Sequence, residues 1–420
     1  MPGKPVLLAG MVLSLGVLAL STSVAQETQA SPSFGGPNAV PNQIQSDAEN
    51  AERGEDTDIG ERWDRWKSEL QSEHGLGLGI DYTSVYQNAS DTVPGGEDEA
   101  AAGMLRLYGA WDLIGRESGN TGTLIWKFEH RHDYGDPSPS PLWAATELGY
   151  IGLENPPFND QGARTTNFYW RQRFNTGHQA AVIGFLDVTD FVDLYGLVSP
   201  WLHFTNFVFT TGSATMDLPN DAALGFGGAS MLGDNFYVIG TFVDANSDPE
   251  DPGEGFDSFW DDNEYYKSLE LGWTSGKDAI YLDNYHITVW HKDERDEFNK
   301  PDGRGVNLSF ARYIDERWMP FLRAGWSDDG DSLLERSVSA GLGYQLRDKK
   351  DLFGFGLNWG EPNPNQGAPE EDQYSAELFY RLLVGQRFQI TADVQYLKDP
   401  AANPSEDSIW ILGTRGRLAF

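Results

Sequence analysis

The sequence predicts an all-β chain: a transmembrane antiparallel β-barrel of about sixteen strands with a short N-terminal periplasmic helix. Three observations predict it. From residue 76 onward the side chains alternate with a period of two, as strand side chains must when successive residues face opposite sides. Short polar turns between these runs alternate with long acidic or Pro-rich insertions, the connectivity expected of a barrel in an outer membrane. No stretch beyond the N-terminus approaches the ~20 apolar residues that a spanning helix needs.

The elements follow in order. Lys4, the apolar run 6–20 and Ser23-Val24-Ala25 form a charged region, a hydrophobic region and a small-x-small cleavage site, so residues 1–25 read as a secretory signal peptide. Residues 26–58 are rich in Pro, Ser, Gln, Asn and Ala without periodicity and read as a disordered lead. In residues 59–74, Trp63, Trp66 and Leu70 share one helix face, and Gly75 suits a C-terminal cap. Residues 75–420 are the barrel.

Within it Leu76, Leu78, Ile80 and Tyr82 open the alternation. Leu105, Leu107, Trp111 and Leu113 then alternate with Arg106, Tyr108 and Asp112, and Leu124, Trp126 and Phe128 with Lys127, Glu129 and Arg131. Similar runs occupy 168–174, 180–188, 236–243, 269–273, 286–290, 306–313, 318–326, 338–346, 353–359, 378–382 and 388–396. Roughly seventeen or eighteen such segments can be counted, and sixteen lies within the error of single-sequence strand assignment. Residues 201–210 carry aromatics that do not separate by phase, which leaves wall strand and inward-folded loop both open. In the final run Trp410, Leu412, Thr414, Gly416, Leu418 and Phe420 share one phase, with Arg415 and Arg417 in the other. A terminal aromatic on such a strand resembles the insertion signal of outer-membrane barrels.

Composition narrows the function. The chain has no cysteine, so neither disulfides nor thiolate chemistry are available. A hydrophobic fraction of only 39% beside 23 Phe, 17 Tyr and 14 Trp suits a cylinder with an apolar coat and a polar interior. A formal charge of −34 argues against nucleic acid as a partner. The acids gather in presumed loops and read as solvated on the aqueous face of a barrel whose partners are outer-membrane lipids and lipopolysaccharide, with divalent cations bridging the latter as the alternative. No Gly-x-Ser-x-Gly elbow and no phosphate-cradling loop occurs, so no enzyme and no cofactor is expected. His130 and His132 share a strand face without a visible third ligand, so no metal is expected either.

If the apolar phase faces lipid, the other phase lines the lumen. That assigns Arg106, Lys127, Glu129, Arg131, Tyr169, Arg171, Arg173, Asp187, Glu377 and Arg381 to the interior, together with Arg415 and Arg417. Tyr169 beside Arg171 and Arg173 makes a compact patch of donors and ring face.

The block 374–420 resembles the carbohydrate-selective outer-membrane porins of the OprB family. Glu377-Leu378-Phe379-Tyr380-Arg381 is similar to the family's Glu-x-x-Tyr-Arg strand. Thr391-Ala392-Asp393-Val394-Gln395 is similar to its Thr-Pro-Asp-x-Gln strand, and Asp399-Pro400-Ala401-Ala402-Asn403-Pro404 to its Asn-Pro-x-x-Asn-Pro turn. Ala392 and Asp399 stand where Pro and Asn are usual. Residues 63–86 and 168–191 are similar to the family's N-terminal helix with first strand and to its aromatic-x-x-Gln strand. The resemblance implies sixteen strands and passive diffusion of glucose-type mono- and small oligosaccharides through a narrowed lumen; homotrimer and monomer both stay open. Recognition of a neutral sugar calls for paired donors and acceptors with aromatic faces, held weakly enough to release. A general or ion-selective porin without sugar preference is the alternative.

Overall fold

The computed structural model describes residues 34–420 apart from 54–57, 136, 155–156 and 348. The signal-peptide expectation therefore lies outside the described residues. Sixteen strands close into one antiparallel barrel, each paired with its neighbours in sequence and β1 with β16. They are β1 (Leu76–Ala89), β2 (Glu99–Ile114), β3 (Gly122–Gly135), β4 (Gly162–Phe174), β5 (Gln179–Leu186), β6 (Ala223–Leu232), β7 (Phe236–Asp244) and β8 (Tyr265–Thr274). The circuit continues through β9 (Asn284–Lys292), β10 (Gly303–Ala311), β11 (Trp318–Asp329), β12 (Leu334–Leu346), β13 (Asp351–Pro362), β14 (Gln373–Val384), β15 (Phe388–Lys398) and β16 (Ser408–Ala419). One rim carries only short connections. The other carries the long loops 136–161, 187–222 and 245–264.

The predicted phases hold along the wall. Leu107 pairs with Phe128 across β2 and β3, and both side chains are exposed on the outside. Arg106 and Lys127, one residue away, are buried inside. Aromatic ladders run over the outer surface, such as Trp273, Tyr285 and Phe310, whose rings stack at 5.0 and 4.6 Å. Such girdles suit the membrane–water interface.

Two features differ from the sequence reading. Val40–Arg53, expected to be part of a structureless lead, form helix α1, which packs on β1, β2 and β3. A second helix, α2 (Asp58–Glu69), is prolonged by a wider turn, Leu70–His74, and closed by Gly75 in the left-handed region (φ 71°). Polar composition hid α1, whose apolar stripe is only Val40, Ile44, Ala48 and Ala51.

The second difference is that the lumen contains an apolar core. Loop 187–222 folds inward, and residues 201–210 belong to it, not to the wall. Phe204 packs against Phe209 (4.6 Å), Phe379 (4.9 Å) and Phe321 (5.8 Å), so β11 and β14 contribute inward aromatics where a polar lining was expected. Gly356 makes room for this loop: a Cβ there would lie 2.7 Å from the Phe209 ring.

Candidate functional site

The inward loop is held to the wall by buried charges. Arg323 on β11 is 1% exposed and donates to the Asp193 carboxylate, to the Asp193 carbonyl (3.2 Å) and to the carbonyl of Thr210. Its guanidinium also lies 4.7 Å from the Tyr195 ring centre. Asp193 takes further bonds from His286 Nε2 (3.0 Å) and the Gly212 amide (2.8 Å), while its own amide donates to Glu270 (2.7 Å). Three strands further round, on β14, Glu377 accepts from the amides of Thr205 (2.8 Å) and Asn206 (2.9 Å), and Arg381 donates to the Leu202 carbonyl (3.1 Å). Arg415 donates to the carbonyls of Pro200 and His203.

The start of the loop is clamped by Lys127, which is 2% exposed, with Nζ 3.1 Å from Asp187 and 3.2 Å from Asp190. A register shift between β3 and β4 after Lys127 turns both Thr166 and Asn167 inward. Asn167 then donates to Asp190 (2.9 Å) and accepts from the Asp187 amide (2.9 Å). Burial pushes the Asp187 carboxyl up; Lys127 pulls it down, and Asp190 adds to the rise.

Above this clamp, toward the long loops, lies an open cavity of about 970 Å³. Arg131 joins its wall, bonded to Glu129 (2.6 Å) and Asp221 (2.8 Å), and Lys292 bonds Asp217 (2.8 Å). Trp201 and Phe207 supply ring faces, and Asp133, Asp160, Asp187 and Asp331 supply further carboxylates. Below the clamp a far smaller space of about 30 Å³ lies between Phe34, Phe191, Arg171 and small residues of β5 to β7.

The ten residues assigned to the interior all sit there or at its edge, but they do not form one open lining. Asp187 and Arg131 face the cavity, and Glu129 backs Arg131. Lys127, Glu377 and Arg381 serve the inward loop. Arg106 bonds Asp81 and lies 4.3 Å from the Trp201 ring centre, behind the cavity wall. Tyr169 is covered by Phe191 edge-on at 5.7 Å, so the expected patch with Arg171 and Arg173 is closed on its ring side. Arg171 reaches Thr123 (3.4 Å) beside the small lower space, and Arg173 is part-exposed near the short turns. Sequence reasoning missed Arg323, Asp193, His286, Glu270 and Lys292. The inward phase of the four strand residues was readable, whereas Asp193 lies on the loop, where no phase exists, and the partners lie in distant segments.

A closed sixteen-stranded antiparallel barrel with a greasy exterior, a charged interior and an inward-folded loop defines a bacterial outer-membrane β-barrel of the porin fold. Residues 306–420 match the family described as carbohydrate-selective porin, OprB family, so the resemblance read in the C-terminal strands is borne out there. Among solved structures the high-pH form of Pseudomonas putida OprB is similar (TM-score 0.65, 15% identity, covering 85% of this chain and 97% of that one). So are its low-pH form (0.51, 14%, 85% and 96%) and a mutant of the Rh. blastica porin (0.51, 12%, 82% and 100%). These identities speak for the fold. No curated protein sequence matches the chain.

Proposed function

We propose that the barrel lets small neutral carbohydrates, glucose-type sugars above all, diffuse passively toward the short-turn side. The cavity of about 970 Å³ carries this reading. Its size is at the upper end of the ~300–1,000 Å³ of small-ligand sites. Its ion pairs present carboxylate acceptors next to Arg and Lys donors, matching hydroxyl groups that donate and accept at once. Trp201 and Phe207 offer apolar faces for a pyranose ring. The ten sequence-assigned residues act here as wall and loop supports as well as lining, with Arg131 and Asp187 the members nearest the solute.

Asp133, Asp160, Asp187, Asp217, Asp221 and Asp331 line the cavity against Arg131, Lys292 and Arg295, so anions enter an acidic mouth at a disadvantage. The same excess is what favours the second reading, a cation-preferring porin. In liposome swelling, glucose is expected to permeate faster than gluconate, its anion of like size. Equal rates for the two would reject sugar preference and leave a general pore.

A further inference from the structure

Residues 34–52 cross the interior from one wall to the other beneath the inward loop. At one end Phe34 packs among Met231, Tyr237, Ile239 and Ile280 on the β6–β7 side. Next, the Gly36 amide donates to the Asp190 carbonyl (2.9 Å), and Asn38 reaches the wall of the upper cavity. Val40 then sits in a cluster with Tyr108, Ile125, Tyr169 and Val188. At the far end Asp47 accepts two bonds from Arg417 (2.8 and 2.9 Å) and one from Tyr108 (2.7 Å).

Asp47 is one of two carboxylates at that last contact, and the other belongs to the wall. Arg417 also donates to Asp81 through Nε (2.9 Å) and Nη2 (2.6 Å), and Arg106 is bonded to the same carboxylate. Tyr108 has Asp81 within 3.5 Å as a second acceptor. When Asp47 leaves, Arg417 keeps its two bonds to Asp81, a carboxylate it shares with Arg106, and its uncovered guanidinium turns to the water of the lumen, so departure costs less than breaking a pair that stays buried. The rest of α1 is mostly polar, with few apolar side chains to hold it in place. Beside the segment, the inner faces of β5 to β7 are lined by Ala180, Val182, Gly227, Ala229 and Thr241, which leave width for a passage once Phe34 is withdrawn.

We propose that residues 34–52 are an internal gate: a segment of the chain docked across the barrel, shutting the route on the short-turn side and released at the Asp47 clasp. This rests on the reading of the barrel as a sugar pore. The test is ion current through the full-length protein in planar bilayers. Asp47→Ala, and separately deletion of 34–52, are expected to raise conductance severalfold.

A lock gives the converse. The chain has no cysteine, and a Cβ on Gly36 would lie 3.4 Å from Leu194 Cγ, within disulfide reach, so Gly36→Cys with Leu194→Cys bridges segment to loop. Oxidised, this protein is expected to conduct little, and a reductant to restore the wild-type current. Should the oxidised and reduced forms conduct alike, the gate is wrong and the pore stands. Should nothing conduct, the deletion included, the pore reading falls and the gate with it. If the deletion fails to show heat-modifiable migration on gels, the lock alone decides.

Discussion

Arg323→Ala is expected to loosen the inward loop and to widen the channel. The guanidinium ties together Asp193, the carbonyl of Thr210 and the ring of Tyr195, all on the loop, from a fixed point on β11. Alanine leaves Asp193 buried with His286 and the Gly212 amide as remaining partners. Removing one member of a buried pair costs about 3–5 kcal/mol, because the other charge stays desolvated. The loop also carries Asp190 and Leu194, on which the N-terminal segment rests, so both closures weaken together. Expected readouts are a lower urea midpoint and a larger single-channel conductance with passage of longer oligosaccharides. An unchanged midpoint and an unchanged size limit would mean that Arg323 does not anchor the loop.

Lys127→Met is the second large effect. It strands two carboxylates, Asp187 and Asp190, which share one ammonium inside the barrel. A loss of about 3–5 kcal/mol is again the scale. Its pH dependence has a definite sign. Burial already pushes both carboxyls up, against the pull of Lys127. Without the lysine they rise further. A carboxyl whose folded pKa is raised favours the folded state when protonated and loses that stability as pH climbs through the raised value. The deficit of Lys127→Met relative to wild type should therefore be greatest above neutral pH and shrink on acidification. Adding Asp187→Asn and Asp190→Asn should recover most of it. A deficit independent of pH, or one the asparagines leave intact, would show that Lys127 matters for packing instead of charge.

Much of the wall was legible in the sequence because a strand that separates lipid from a polar interior must alternate. Leu124, Trp126 and Phe128 face out and Lys127, Glu129 and Arg131 face in, as their order demands. β6 escaped notice for the complementary reason. In Ala223–Leu232 the positions Gly225, Gly227 and Gly228 have no side chains to carry a phase, and only Leu224, Phe226 and Leu232 mark the outside. The aromatics of 201–210 had no phase because that segment is a loop surrounded on several sides, with Phe204 and Phe209 meeting rings from two strands.

The candidate site was half legible. Periodicity gave the direction of Arg131, Asp187 and Glu377, but pairings such as Asp193 with Arg323 or Asp217 with Lys292 join segments far apart in sequence. No local pattern encodes them. The docking of α1 was hidden for the same reason: Asp47 reads as one more acid in a polar lead until Arg417 is seen opposite.

Sugar preference requires that the cavity on the long-loop side hold solute briefly on its way through. The most direct measurement is single-channel ion current, in wild type and in Asp47→Ala, as glucose is added to the side bearing the long loops. The expected result is a saturable fall in current, with weaker block when Trp201 is replaced by alanine. A channel that conducts ions steadily at every glucose concentration would contradict it.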